Sequence, residues 1–474
     1  MTNKPLVVDL DGTLIRSDVL LESGFAFVKQ SPHKFYQPLL WLMKDGKAGL
    51  KARLAEQVQL DVSSLPYDPV IVEWLQDEHA NGRQIVLATA THEHFAKQIA
   101  EHIGIFERTF ATRDGINLSS SNKRDALIRE YGEKGFDYAG NSHDDIRVWR
   151  ASDQAFVVNP DKGVARVAEK EGNVARVIDT RRSSLKVLSK ALRTHQWLKN
   201  VLVFLPILAA HQFLSIPHVV HALIAFVAFS LCASSVYLLN DLLDLEDDRH
   251  HPTKRFRPLA SGALSLTVGI ALFPVILATS FGLSLLLLPP QFTLVLIGYY
   301  ALTLAYSMYL KRRVMVDVVS LAALYTIRII AGSAATGVAP SFWLLAFSMF
   351  MFLSLALVKR YAELYSMQAR GVEKSRGRGY VADDLPLISS LGAAAGYLAA
   401  LVLALYIQDT NTMYLYSHPK WLWIGCPLIL YWVSRTWIIA HRGLMHDDPI
   451  VFAARDRTSL IVAVMFAAVC WIAA

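Results

Sequence analysis

Val236 to Gly262 reads VYLLNDLLDLEDDRHHPTKRFRPLASG. The stretch leaves a long apolar run, Leu223 to Leu239, and at once presents Asn240, Asp241, Asp244 and Asp248. Continued as helix, this spacing keeps the carboxylates on one face. Acids crowded at a helix C-terminus repel one another and oppose the negative end of its dipole, so a cation is expected among them. Mg2+ is the natural candidate, because it takes a few carboxylates together with substrate phosphate oxygens. The bases that follow, among them Lys254, Arg255 and Arg257, suit phosphate. A metal-holding half beside a phosphate-holding half is the layout of a diphosphate site at a membrane surface. The plainer alternative is a charged loop whose acids and bases cancel.

Outward from this stretch the chain divides. Residues 1 to about 190 read as soluble, and the rest is mostly apolar runs, several reaching the ~20 residues that cross a bilayer. With 53% hydrophobic residues and a mean hydropathy of +0.33, an integral membrane protein is expected. The net charge of +7 lies in loops between the runs, which reads as topology and excludes nucleic acid as the partner. Cys232, Cys426 and Cys470 all fall in apolar runs without ligand spacing, so disulfides and zinc are not expected. The start, MTNKPLVVDLDGTL, is too briefly apolar for a signal peptide, which leaves the soluble part in the cytosol.

Leu6-Val7-Val8 is a short apolar run that releases Asp9 and Asp11 at its end, where open α/β sheets carry their sites. Two aspartates two residues apart suit a nucleophile on phosphorus and an acid/base partner. With DLDGTL at 9–14, residues 1 to about 165 resemble the haloacid dehalogenase-like phosphohydrolases. The resemblance implies a Rossmannoid α/β domain, Thr89 as the hydroxyl on the transferred phosphoryl group, and Lys123 as the cation beside the phosphoaspartate. It also implies Mg2+ held by Asp9 and by the first acid of a GDxxxD motif. Here that motif is Gly140-Asn141-Ser142-His143-Asp144-Asp145, so Asn141 stands where the acid is expected. Asn141 still offers a neutral oxygen, and Asp144 or Asp145 is the candidate to restore the charge. An active phosphatase and a binding-only domain both remain open. Asp18 to Asn81 carries helical patterns such as FAFVKQSPHKFYQPLLWLMK, read as a helical cap whose aromatics form its core.

Residues 166–194 form a basic linker, ending in an amphipathic helix, Ser184 to Arg193, with Lys186, Lys190 and Arg193 suited to an anionic headgroup layer. From 195 to 474 an all-α polytopic bundle of nine transmembrane helices is expected, at about 197–214, 218–240, 264–288, 291–310, 314–336, 341–358, 387–408, 421–440 and 452–473. The Lys and Arg bias of alternate loops puts the acidic stretch and the N-terminal domain on the cytoplasmic side of a bacterial inner membrane. Further candidates lie at that side: Tyr306 and Lys311, then Asp317 with Arg328 in the fifth span, and Lys359 and Arg360 at the end of the sixth. Asp317 and Arg328 are costly in lipid, and should face the bundle interior or pair with each other. The basic loop Arg370 to Arg378 reads as a solvated charge run.

The pattern Asn240-Asp241, Asp244, Asp248 with nine spans resembles the UbiA-type intramembrane prenyltransferases over residues 190 to 474. Most of that superfamily ionises a prenyl diphosphate between two Mg2+-bridged acidic motifs. Here the second motif keeps Asp317 but has Leu321 four residues later. HPTKRFRP at 251–258, RTHQWLKNVLV at 193–203, IRIIAGSAATG at 327–337 and VKRYAEL at 358–364 resemble the decaprenyl-phosphate phosphoribosyltransferase branch. That resemblance implies 5-phosphoribosyl 1-diphosphate as donor and a polyprenyl phosphate as acceptor. Such a donor needs more cations than a prenyl diphosphate, and Lys254, Arg255, Arg257, Lys311, Lys359 and Arg360 supply them. Asp241, Asp244, Asp248 and Asp317 are then expected on Mg2+, with Asn240, Gln196, Lys199 and Asn200 orienting phosphates. An aromatic prenyltransferase and a transporter are the competing readings, the latter disfavoured by the lack of a broken-helix repeat.

Overall fold

The computed structural model describes residues 4–113, 115–181, 184–369, 371, 379–410, 415–445 and 448–474. The basic loop Arg370 to Arg378 therefore lies almost wholly outside the described residues. The chain forms two compact units, one of Met1–Leu192 with Tyr237–Phe273, the other of Arg193–Val236 with Pro274–Ala474. The acidic stretch thus belongs to the same unit as the N-terminal residues, although a membrane helix separates them in sequence.

In the first unit six strands, β1 Leu6–Val8, β2 Ile85–His92, β3 Arg108–Thr112, β4 Asp137–Gly140, β5 Ala155–Val158 and β6 Val174–Ile178, form one parallel sheet. The order is β3-β2-β1-β4-β5-β6. Because side chains alternate across a strand, Leu6 and Val8 pack with Ile85 and Leu87 on one face, and Val7 packs with Val86 and Tyr138 on the other. Helices cover both faces, as an all-parallel sheet requires. The strand order reverses around β1, which opens a crevice between the C-terminal ends of β1 and β4.

The cap is built from α1 Val19–Gln30, capped by Asp18 on Leu21 N, and α2 Gln37–Gln57, kinked at Gly46. Its apolar centre is Phe27, Leu50, Leu54 and Val58, with Trp41 edge-on to Phe27 at 5.1 Å. Two cap aromatics expected in that core are not there: Phe35 is 67% and Tyr36 50% exposed.

The second unit is helical. Among the described residues seven helices of the chain are long and apolar enough to cross a membrane, and eight segments are if the bent pair Pro449–Arg455 and Arg457–Ala473 forms one span. Eight of the nine expected spans correspond to these. The exception is 197–214, which forms a 3-10 helix, Thr194–Phe204, and a five-residue helix, Leu205–Ala209. Pro206 falls at the start of the short helix, and Val203 O lies 1.9 Å from where a Cβ on Gly332 would stand, so a tight backbone contact holds the segment in this form.

Candidate functional sites

Asp9 follows β1 directly and drops its carboxylate into the crevice. Its Oδ1 accepts from Lys123 Nζ at 2.7 Å. Lys123, on the first turn of helix Ser120–Tyr131, also donates to Tyr138 Oη at 2.8 Å and stands 3.7 Å from Asp145. One buried ammonium therefore faces two buried carboxylates. Burial pushes the Asp9 carboxyl up to about 6 against the pull of Lys123. Asp11 is pushed up to about 7, by burial first and the nearby Asp18 next. Its Oδ1 accepts from Val19 N at 2.8 Å and its Oδ2 from Thr91 Oγ1 at 2.9 Å. A carboxyl that keeps its proton near neutrality beside one that gives it up is the arrangement acid and nucleophile need.

Three placements differ from the sequence expectation. Thr89 is fully buried and its Oγ1 accepts from Thr91 N at 3.0 Å, whereas Thr91 lines the cavity and bonds to Asp11. Strand β2 runs to His92, so the hydroxyl at its open end is Thr91. Asp145 does not offer its oxygens to a metal: Oδ2 accepts from Asn141 N, Ser142 N and Ser142 Oγ at 2.9 to 3.0 Å, and Oδ1 accepts from Tyr138 Oη at 2.7 Å. It is the post that shapes the loop carrying Asn141. Lys51 of α2, which no motif marked, donates to Ala90 O at 2.6 Å and Asn117 Oδ1 at 2.9 Å, and burial draws its ammonium down.

A divalent cation fits this centre electrostatically, because the carboxylates of Asp9 and Asp145 both face the single ammonium of Lys123. Asp9 and Asn141 are the residues that would hold it. Asn141 lies against Gly12, where a Cβ would stand 2.2 Å from its Nδ2, and Thr13 Oγ1 donates to its Oδ1 at 3.4 Å.

The helix that leaves the membrane, Ile216–Leu243, stops one residue before Asp244, and a short helix, Leu245–His250, follows. The acids therefore do not share one continuous face. Asp241 and Asp248 nevertheless converge, both 2% exposed, on a single nitrogen: Arg257 Nη1 lies 3.1 Å from Asp241 Oδ1 and 2.6 Å from Asp248 Oδ2. Burial pushes the Asp248 carboxyl up, and Arg257 pulls against it. The position between these oxygens suits a cation, and Arg257 fills it. Hard oxygen donors in this number fit Mg2+, which completes its octahedron with substrate and water; among the described residues no three acidic, His or Cys side chains gather to cage a metal. Asn240 lies on the last turn of the long helix, while Lys254 and Arg255 are exposed on the turn that follows, Arg255 stacked over Phe256 at 4.8 Å.

This acidic segment is clamped to the cap. Arg249 Nη2 and Nη1 reach Glu22 Oε1 and Oε2 at 2.5 and 3.1 Å, both side chains almost fully buried, and His250 Nε2 stands 2.9 Å from Asp61. A cavity of about 1030 Å3 results. One wall carries Asp9, Asp11, Thr91, Lys123 and Asn141; another carries Phe256, Gly262, Leu264 and Leu266 from the chain after the acidic stretch, with Lys190 between. Lys190 Nζ donates to Phe256 O at 2.9 Å.

In the second unit charges also sit inside the bundle. Asp317, at the start of helix Val316–Thr336, is fully buried, accepts from Tyr380 Oη at 2.5 Å and lies 2.6 Å from Arg360 Nη2. That approach is off-axis, so it is an ion pair without a hydrogen bond, and Arg360 Nε and Nη2 find no acceptor among the described residues. The alternative pairing of Asp317 with Arg328 does not occur. Arg328 donates to Asn200 Oδ1 at 2.8 Å and lies 5.3 to 5.4 Å from the ring centroids of Phe229, Tyr299 and Tyr325. Lys199 and Lys359 meet on one carboxylate that sequence reading missed: Asp448 Oδ2 lies 2.8 and 3.1 Å from their ammonium nitrogens. Tyr306, Lys311 and Gln196 are partly buried. Four cations against Asp317, Asp448 and Glu363, with unsatisfied guanidinium donors, make a region prepared for an anion.

Comparison with known proteins agrees with the helical unit. Residues 201–460 match the family model for the UbiA prenyltransferase family. Uncharacterized protein y4nM of Sinorhizobium fredii is 37% identical over 465 residues, 98% of this chain and 90% of the relative. The decaprenyl-phosphate phosphoribosyltransferase of Mycobacterium tuberculosis is 39% identical over 218 residues, 44% of this chain and 70% of the relative. A solved phospho-aspartyl intermediate analogue of phosphoserine phosphatase aligns with 40% of this chain and 99% of its own at 13% identity and a TM-score of 0.27. The chain belongs to the UbiA prenyltransferase family. It is an integral membrane protein that joins a UbiA-type helical unit to a six-stranded parallel sheet.

Proposed function

We propose that this protein transfers 5-phosphoribose from 5-phosphoribosyl 1-diphosphate to a polyprenyl phosphate at the cytoplasmic face of a bacterial inner membrane, and that its N-terminal domain then removes the 5-phosphate. The likeness to decaprenyl-phosphate phosphoribosyltransferases supports the first step. The observation that supports the coupling is the cavity in which Asp9, Asp11 and Lys123 face residues 261–267, which follow the acidic stretch in sequence.

Asp241, Asp244 and Asp248 would hold Mg2+, which would neutralise charge on the departing diphosphate. Arg257, which lies between two of these acids, would reach the donor phosphates with a cation held in its place, and Lys254 and Arg255 would add to that charge. Lys199, Lys359 and Arg360 are cations available to phosphate oxygens. The acceptor attacks C1 as an anion and needs no general base. In the second step Asp9 attacks phosphorus, Lys123 stabilises the charge and Asp11, held against Thr91, gives its proton to the departing sugar hydroxyl; Asp11, left as a carboxylate, then takes a proton from the water that hydrolyses the phosphoaspartate and frees phosphate. Mg2+ at Asp9 and Asn141 would supply further neutralisation there.

Reconstituted protein given radiolabelled phosphoribosyl diphosphate and polyprenyl phosphate tests both steps. Wild type should yield a pentosyl lipid without the 5-phosphate, and Asp9→Asn should accumulate the phosphorylated lipid at an unchanged rate of transfer. The same product mixture from both proteins makes the N-terminal domain a binding module, and no labelled lipid from either removes the transfer reading.

A further inference from the structure

The cap carries a surface that neither proposed reaction uses. Between Ser31 and Lys44 the sequence SPHKFYQPLLWLMK contains no acid, and it folds into a 3-10 turn and the first part of α2. Phe35, Tyr36, Leu39, Leu40, Leu42 and Met43 are 67, 50, 62, 52, 39 and 77% exposed. Isolated exposed apolar residues are ordinary, but six within nine positions on one short arm form a patch that water does not favour. Lys34, Lys44 and Lys47 border it, and Asp45, the first acid after it, is taken up by Arg53 at 2.8 Å. Gly46, at φ 65, then turns the helix so that Leu50 and Leu54 go back into the cap core while the arm before it projects.

We propose that this arm, Pro32 to Met43, inserts into the headgroup layer of an anionic bilayer and is a second membrane contact of the first unit. Aromatic and aliphatic side chains flanked by lysines, with no acid among them, have the chemistry of interfacial segments, which gain from apolar burial and from attraction to anionic lipid together. The bilayer is the occupant favoured over a protein because the same unit already includes the ends of two membrane helices, residues 237–243 and 266–273, so the lipid surface is tethered to it. Helix Ser184–Ala191 of this unit has the same character, with Leu185 79% exposed beside Lys186. The inference rests on exposure and charge alone, and stands whether or not the phosphoribosyl reading does.

The test uses full-length protein in phosphatidylcholine nanodiscs with and without phosphatidylglycerol. The native Cys232, Cys426 and Cys470 are changed to Ala, and an environment-sensitive fluorophore is placed at Met43→Cys, at Leu39→Cys or, as aqueous reference, at Lys97→Cys. Headgroup-proximal nitroxide lipids should quench the Met43 and Leu39 labels at least about threefold more than the Lys97 label, more strongly with phosphatidylglycerol, and Leu40→Glu should abolish the difference. Equal quenching at all three positions overturns the proposal. So does a label shielded from aqueous iodide yet unreached by lipid quenchers, which means a protein covers the arm, and so does shielding that rises with protein concentration, which means a second copy does.

Discussion

Two buried acids in this protein, Asp241 in the first unit and Asp317 in the second, each hold an arginine, and the two pairs differ in what they allow. Arg257 sits on an irregular turn, its side chain 27% exposed, and bridges Asp241 and Asp248. It can swing into solvent and give its place to another cation. Arg360 sits in the middle of helix Phe342–Gln368, its side chain 1% exposed, between Asp317 and Glu363. It has nowhere to go, and removing either partner leaves a stranded charge. Similar acid and arginine pairs thus stand on a partly exposed turn in one place and sealed within packed helices in the other. Asp317, expected as a metal ligand, is placed to fix Arg360 and its unsatisfied donors.

The comparison breaks most sharply at Asp241. Asp241→Ala should lower lipid phosphoribosylation by about 10^3-fold or more while leaving the fold intact, because this carboxylate is expected on Mg2+ and its loss removes charge stabilisation of the leaving group. Near-normal turnover of the folded variant, measured with radiolabelled donor, would sink the mechanism. Asp317→Asn should act on stability first. Loss of the carboxylate from a buried pair costs about 3–5 kcal/mol, at the lower end here because Glu363 remains, while the Mg2+ concentration for half-maximal activity stays as in wild type. A shifted Mg2+ requirement would return Asp317 to the metal.

Arg257→Ala sharpens the exchange. Without its internal competitor the acidic pair should bind Mg2+ about tenfold more tightly, or about 1.4 kcal/mol, by calorimetry without donor. Donor affinity should fall by about 2–4 kcal/mol for the lost phosphate contact. Unchanged Mg2+ affinity would mean that Arg257 does not occupy the metal position.

The smallest effect expected concerns pH. Asp9, at about 6 against an ordinary 3.8, keeps its proton in the folded protein over a range where the unfolded chain has lost it. Stability of the metal-free protein should therefore fall as pH rises from about 4 to 7, since Asp11 is raised to about 7 as well, and Asp9→Asn should recover the part lost to Asp9, about 1–3 kcal/mol at pH 8. A flat pH profile with an unchanged variant would remove the raised carboxyl from the account.

What could be read in the sequence follows from how local each signal is. Asp9, Asp11 and the loop at Asn141 stand in short motifs tied to strand ends, and the sheet carries them to one crevice as expected. Thr89 and Thr91 lie on the same face of β2, and only the strand's true end shows which hydroxyl reaches the opening. Asp448 carries no motif and meets Lys199 across 249 positions and Lys359 across 89, a pairing invisible to spacing. The clamp of Glu22 on Arg249 is equally remote, joining residues 227 apart. The expected helical stripe of acids failed for a local reason, since the helix ends at Leu243, and the convergence of Asp241 with Asp248 is made by the turn instead.

Gly262 has φ +68, and a Cβ there would stand 2.4 Å from Arg16 Cβ. The contact joins residues that leave the ribosome far apart in time. The six-stranded sheet is complete in the nascent chain at Ile178, but the wall bearing Gly262 follows only after residues 193–236 have been made. Until then the pocket of the N-terminal domain lacks one side. Synthesis order thus leaves that pocket open on one side until the chain beyond residue 236 has been made.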